Sequence, residues 1–143
     1  MSRTLLISIH PEFVDLILKG EKRIEFRRSW AKDPVDRMVI YATAPVMRIV
    51  AIASIAEVVR ESKTVLWELA KVHGGGISRE ELRTYFHGKE KGYGICLKHV
   101  QKFKRLPRPR SLFNSFQIPQ SFRYLTDSEL RVLEQELTKK DRP

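Results

Sequence analysis

The period of the apolar positions changes several times along this chain, and each change marks a predicted element. Thr4 to Ile9 is a short apolar, β-branched run that suits a buried strand, and Pro11 follows where a first helical turn tolerates it. Phe13, Leu16 and Ile17 then recur at helical spacing, Leu18 widens the stripe, and Gly20 stands where a left-handed residue ends a helix. In an extended strand from Lys22 to Arg28, Ile24 and Phe26 share one face with Lys22 and Arg28, while Arg23, Glu25 and Arg27 share the other. Lys22 joins Glu25 and Arg27 only if the helix-to-strand junction turns it, which alternation alone leaves open.

Met38 to Thr43 and Ile49 to Val59 predict two more strands, joined by a turn around Ala44-Pro45, and the second is apolar enough to cross a barrel interior. Ser62 caps a helix through Val72 with Leu66, Leu69 and Ala70 inward, and Gly74-Gly75-Gly76 ends it. Ser78 and Glu81 have capping-box spacing for a second short helix ending near His87-Gly88. Tyr93 to Phe103 is the last strong strand. From Leu106 to Gln120, Pro107, Pro109 and Pro119 with arginines between them prevent a regular ladder and predict a chain wrapped over the surface. Thr126 with Glu129 caps a terminal helix bearing Leu130, Leu133 and Leu137, and Lys139 to Pro143 reads as a frayed end. Strands interrupted by helices, without βαβ alternation or a glycine-rich dinucleotide fingerprint, argue against a doubly wound sheet and for an α+β barrel.

Composition narrows this to one domain, since 143 residues with 42% hydrophobic content bury one core and not two. Charge adds a partner. There are 27 Lys and Arg against 17 Asp and Glu, a net +10 that favours polyanions through counterion release. The excess is concentrated: Lys91 to Thr126 holds no Asp or Glu, while Phe103, Phe113, Phe116, Phe122 and Tyr124 are interleaved with its basic residues. A charge run is ordinarily a solvated face, but an acid-free basic tract with aromatics points to nucleic acid. Cys96 is the single cysteine, so an internal disulfide is excluded. With no leader pattern and no apolar run of membrane-spanning length, a cytoplasmic protein with no membrane partner is expected.

Gly20 to Arg27 reads G-x-K-x-x-E-x-R, three charges of mixed sign at a helix exit. The ordinary structural reading is a strand-face ion pair between Glu25 and Arg27, a weakly stabilising arrangement. The stretch, however, resembles the signature of the ASCH domain, a compact β-barrel family related to the PUA domains of RNA-modifying and translation-associated proteins. All four signature positions match. Leu5-Leu6-Ile7-Ser8-Ile9-His10-Pro11, Tyr41-Ala42-Thr43-Ala44-Pro45 and Pro119-Gln120-Ser121-Phe122 are similar to one bacterial and archaeal branch of it, and the likeness spans roughly Thr4 to Leu125. The resemblance implies a small PUA-like barrel with flanking helices: residues 1–125 as the ASCH domain, and 126–143 as a C-terminal helix and tail of the same single domain.

It also implies a cleft beside the motif strand that holds a base or a phosphate. There Lys22 offers a point charge, Arg27 a planar fork, and Glu25 an acceptor for exocyclic amines. Arg28, Ser8, Tyr41, Thr43, Gln120 and Ser121 are further candidates from the family-like segments, although strand-edge bonding or turn capping explains each singly as well. Lys98, Lys102, Lys104, Arg105, Arg108 and Arg110 are expected to hold the nucleic-acid backbone in the same cleft. Trp30, beside Arg27, Arg28 and Lys32, is a candidate base-stacking platform, whereas Trp67 reads as core.

The resemblance brings two activities to compare with these residues. Some ASCH proteins resemble amidohydrolases acting on acetylated cytidine, with a threonine nucleophile three residues after the motif lysine and an assisting glutamate between the mid-chain helices. Glu25 and Gly74-Gly75-Gly76 stand at those places, so that activity is not expected here. Others resemble metal-assisted ribonucleases. Glu25, Glu57, Asp33 and Asp36 are available carboxylates but form no spaced cluster, and His10, His73, His87 and His99 are scattered. The expectation is therefore binding of RNA or single-stranded nucleic acid in transcriptional or translational regulation, without a cofactor. The alternative is an RNA-processing enzyme, a metal-assisted ribonuclease or a modified-nucleoside hydrolase, with Lys22 and Glu25 as catalytic candidates and a divalent cation if it is a nuclease. The oligomeric state is left open.

Overall fold

The computed structural model describes residues 2–139. Within them the order is β1 (Arg3–Ile9), α1 (Pro11–Leu18), β2 (Ile24–Arg27), β3 (Val35–Ala42), β4 (Arg48–Ser62), α2 (Lys63–His73), α3 (Arg79–Tyr85), β5 (Lys91–Lys102), α4 (Pro109–Leu112), β6 (Phe122–Tyr124) and α5 (Asp127–Thr138). Residues 140–143 of the predicted frayed end lie outside the described residues.

The strands form one mixed sheet in the order β2-β5-β4-β3-β1-β6, in which β1 and β3 run parallel and the other pairs antiparallel. The parallel pair is possible because α1 and β2 intervene between its members, giving the chain length to return in the same direction. β4 is the spine of the sheet, and its register with β5 shifts between Ala53 and Ser54 and again between Ile55 and Glu57. Such irregularities bend a strand and increase its twist, and here the sheet curls into a half-barrel. The predicted α+β barrel architecture is thus present.

Strand alternation divides the core. Leu5, Ile7 and Ile9 face inward with Met38, Ile40, Ala51 and Ala53, under Val14 and Ile17 of α1. Leu6, Val39, Ile49 and Ile52 face outward and are covered by Phe103, Leu125 and Leu133 of α5. Ile24, Phe26 and Cys96 are covered by Leu66, Ala70, Leu82 and Phe86 from the α2–α3 layer. Burial on both faces explains why the strands read as near-continuous apolar runs, each large side chain contributing about 1.5–3 kcal/mol. The caps form as predicted: Ser62 accepts from Val65 N, and Ser78–Glu81 and Thr126–Glu129 are complete capping boxes.

The short elements were not predicted. β6 pairs with Leu5 to Ile7 of β1, and α4 is a single turn opened by Pro109 inside the proline-rich segment. Trp30 is also not an open stacking platform. It is half-buried against the inner core, with its ring 5.4 Å from that of Phe122. Trp67 packs on the cluster under α2, as expected of core.

Candidate functional site at the seam of the half-barrel

Gly20 takes φ +77 after α1, and the backbone N–H groups of Glu21 and Lys22 both donate to Leu16 O, at 3.0 and 3.1 Å. Arg23 N donates to His73 O and Gly74 O at the end of α2. The junction is therefore pinned between two helix ends, and the strand begins only at Ile24. Lys22 precedes the alternating region. Its side chain does not follow the face of Ile24 and Phe26 but turns to Glu25, settling the question that periodicity left open.

The lysine is 3% exposed, and its Nζ donates to Ile24 O at 2.7 Å and Gly75 O at 2.6 Å, with Glu25 Oε1 at 3.4 Å. Three acceptors around one amine suit the ammonium form, which has three donors and no acceptor. Phe13 and Phe26 each place a ring centroid 5.4 Å from the same nitrogen. Burial lowers the Lys22 pKa from 10.5, and the Glu25 carboxylate opposes that shift. Room for this arrangement comes from the glycine run. At Gly74, where φ is +76, a Cβ would collide with the Glu21 carbonyl.

Arg27 completes the network. Its Nε and Nη2 both donate to Glu25 Oε2, at 3.1 and 2.7 Å. Nη2 also donates to Ser8 O at 2.9 Å, and Nη1 donates to Ser121 Oγ at 3.1 Å. Ser8 lies on β1 and Ser121 just before β6, whereas Arg27 lies on β2 at the opposite end of the sheet order. One guanidinium thus spans the seam where the curled sheet approaches itself. Among the described residues, no fully buried side-chain polar atom lacks a partner.

Over this network lies a cavity of about 310 Å³, lined by Ser8, His10, Phe13, Lys22, Glu25, Phe26, Arg27, Thr43, Tyr85 and Gln120 with Ile9 and Ile77. Its floor carries one net positive charge from Lys22, Glu25 and Arg27. Glu25 Oε1 faces only the long Lys22 contact and retains accepting capacity. Ser8 Oγ donates to Pro119 O at 2.8 Å, and Thr43 Oγ1 is 3.4 Å from His10 Nδ1. Burial raises the pKa of the Tyr85 phenol, and the charge of Arg27 opposes that shift.

Ser8, Lys22, Glu25, Arg27, Thr43 and Gln120 of the sequence candidates therefore meet in one place, with Ser121 behind Arg27. Arg28 is turned away: its Nη1 donates to Tyr85 O and His87 O, tying β2 to the end of α3. Tyr41 points to the outer face, where it is 5% exposed. The expected single basic cleft is divided. Lys98, Lys102, Lys104 and Arg105 line neither this cavity nor a second hollow of about 490 Å³, which instead receives Arg108 and Arg110 with Tyr41, Pro45, Val46, Met47, Pro109, Phe116 and Ile118. The physical reason is the path of residues 106–120, which pack on the outer core through Leu106, Leu112, Phe113 and Phe116. His10, Phe13 and Tyr85 were missed as cavity residues. Phe13 has the spacing of a core stripe, and nothing in the local pattern turns Tyr85 toward the motif. Among the described residues, no group of three His, Cys, Asp or Glu is placed to hold a metal ion.

Comparison with known proteins agrees with this architecture. The ASCH domain family model matches residues 7–103. An ASCH domain-containing ribonuclease from Zymomonas mobilis is 31% identical over 131 residues, covering 90% of this chain and 88% of that protein. The crystal structure of ASCH from Zymomonas mobilis matches with a TM-score of 0.83 at 30% identity, over 93% of this chain and 94% of that one. The N-terminal domain of Staphylothermus marinus McrB, at 11% identity and a TM-score of 0.62, shares the fold over 94% of both chains. With the family model matching residues 7–103 and a relative 31% identical over 131 residues, this chain belongs to the ASCH domain family.

Proposed function

We propose that this protein binds single-stranded RNA, taking one base of the strand into the seam cavity. The observation that carries the reading is the buried Lys22–Glu25–Arg27 network at the floor of a cavity large enough for one nucleotide. Lys22 and Arg27, held by carbonyls and by Glu25 Oε2, supply a rigid charged surface rather than mobile contacts. The direct contacts to a base therefore fall to Glu25 Oε1, Gln120 and the Tyr85 hydroxyl, with Phe13, Ile77 and the Tyr85 ring against its faces. The net +10 of the chain supports a polyanionic partner. Binding without turnover would serve control of transcription or translation.

A second reading, RNA cleavage, is favoured by the ribonuclease name of the 31% identical Zymomonas relative. The two separate in one assay with labelled single-stranded RNA, with and without a divalent cation. Ile77→Trp, which narrows the cavity at a residue outside the ion network, is expected to weaken RNA binding by about tenfold, equivalent to about 1.4 kcal/mol. Unchanged affinity in that variant would refute the seam site. Cation-dependent cleavage that Ile77→Trp abolishes would replace the binder reading with the nuclease reading.

A further inference from the structure

The second hollow is not used by the site above, yet it shares walls with it. The chain from Tyr41 to Met47 supplies Thr43 to the seam cavity and Tyr41, Pro45, Val46 and Met47 to the hollow. The chain from Phe116 to Gln120 likewise supplies Gln120 to the first and Phe116 and Ile118 to the second. Thr43 and Pro45 are two residues apart, so their Cα atoms are separated by about 7 Å at most. The two concavities are neighbours across a shared rim.

The hollow has the chemistry of a strand-binding surface. Val46, Met47 and Ile118 are 37%, 56% and 40% exposed, three large apolar side chains gathered in one place. Met47 is held at φ 53, a left-handed conformation uncommon for a bulky residue, which projects it on an open turn. Arg108 and Arg110 flank these side chains, both exposed, and neither forms an ion pair among the described residues. Phe116 has one ring face stacked on Phe113 and the Arg123 guanidinium 4.8 Å from its centroid, so it buttresses the hollow instead of offering a free face. Two unpaired guanidinium groups beside an apolar surface fit a phosphate and the base attached to it, and the acid-free tract around them disfavours a basic partner.

We infer that the hollow of Tyr41, Met47, Arg108 and Arg110 is a second nucleotide subsite, gripping the phosphate and base adjacent to the nucleotide held in the seam cavity. This rests on the single-strand reading proposed above. A one-nucleotide ligand fills the seam cavity alone, whereas an oligonucleotide engages both.

The test compares a mononucleotide with a single-stranded oligoribonucleotide across a salt series, using the full chain and thermal melting as a fold control. Arg108→Ala/Arg110→Ala is expected to leave mononucleotide affinity unchanged, to weaken the oligonucleotide by about tenfold or more, and to reduce its salt slope by about 1.4, the value for two single-strand phosphate contacts. Lys63→Ala/Arg131→Ala removes the same charge from α2 and α5 and is expected to change little. Equal losses in the two double variants would reduce the effect to net charge and overturn the subsite. So would an unchanged oligonucleotide affinity in Arg108→Ala/Arg110→Ala. If Ile77→Trp has no effect on either ligand, the seam reading fails and the subsite inference with it. If Ile77→Trp weakens both ligands while the arginine pair has no effect, only the subsite falls.

Discussion

The guanidinium of Arg27 donates to the backbone carbonyl of Ser8 at 2.9 Å, joining strands that the sheet order separates by β5, β4 and β3. Elsewhere in the sheet neighbouring strands are held by backbone ladders. Between β2 and β1 the Arg27 side chain makes this connection, and the same side chain pairs with the motif glutamate. Closure of the half-barrel and construction of the site are one event.

Arg27→Ala is accordingly expected to cost about 3–5 kcal/mol, because it leaves Glu25 buried beside Lys22 alone and empties the Ser8 and Ser121 contacts. Arg27→Lys keeps the charge but not the fork, so it should recover only part of that loss. Urea denaturation of both variants checks the order. Equal stability of Arg27→Lys and wild type would show that the fork geometry contributes nothing.

Glu25→Gln and Lys22→Met remove opposite charges from the same network, and their costs should differ. Glu25→Gln leaves two cations facing one another and is expected to destabilise by about 3–5 kcal/mol. Lys22→Met leaves a paired Glu25–Arg27 and two unpaired carbonyls, at about 1–3 kcal/mol. The lysine also has a pH signature. Its native pKa lies below 10.5, so between the two values the unfolded chain binds more protons than the native one. The contribution of Lys22 to stability is full above 10.5 and is lost as pH falls through the native pKa. Relative to Lys22→Met, wild type should therefore gain stability as pH rises toward 10.5, as measured by denaturation at several alkaline pH values.

Gly20 and Gly74 both take left-handed φ values, but only one has a neighbour in the way. No atom lies within contact distance of a Cβ at Gly20, while one at Gly74 meets the Glu21 carbonyl. Gly20→Ala should cost about 1–2 kcal/mol from backbone strain alone. Gly74→Ala should cost at least about 3 kcal/mol and also disturb the Lys22 cradle. Comparable melting temperatures for the two variants would contradict the packing argument.

Glu129 anchors α5 twice, accepting from Thr126 N in the capping box and from both terminal nitrogens of Arg123 at 2.9 Å. Arg123 and the cap hold its pKa below 4.5, so the stabilisation is present above that value and disappears as pH falls through the native pKa. Glu129→Gln is expected to cost about 1–2 kcal/mol at neutral pH. The gap from wild type should close in acid, which a pair of pH-dependent melting curves would reveal.

Much of this was legible because it is local. Ser62, Ser78 and Thr126 cap helices through atoms three residues away, and the continuous apolar runs of β1 and β3 report burial on both faces directly. Lys22 was not legible, because its direction depends on the φ of Gly20 and on the docking of Arg23 against His73 and Gly74. Tyr85 reaches the cavity only through the packing of α3 on β2, which Arg28 secures from the far side. The separation of Arg108 and Arg110 from the motif is likewise a matter of path: residues 106–120 carry no period from which a direction can be read, and Phe113 and Phe116 draw them to the outer core.

The Gly74-Gly75-Gly76 run gives the motif a remote half. Its carbonyls take the Arg23 amide and the Lys22 ammonium at the end of α2, where the helix dipole presents its negative pole. A substitution on either side changes what the other must accommodate, so the two segments are expected to drift as one inherited unit. The shortest sequence that specifies this charge cradle is a pair of phrases half a domain apart, and neither carries the full meaning alone.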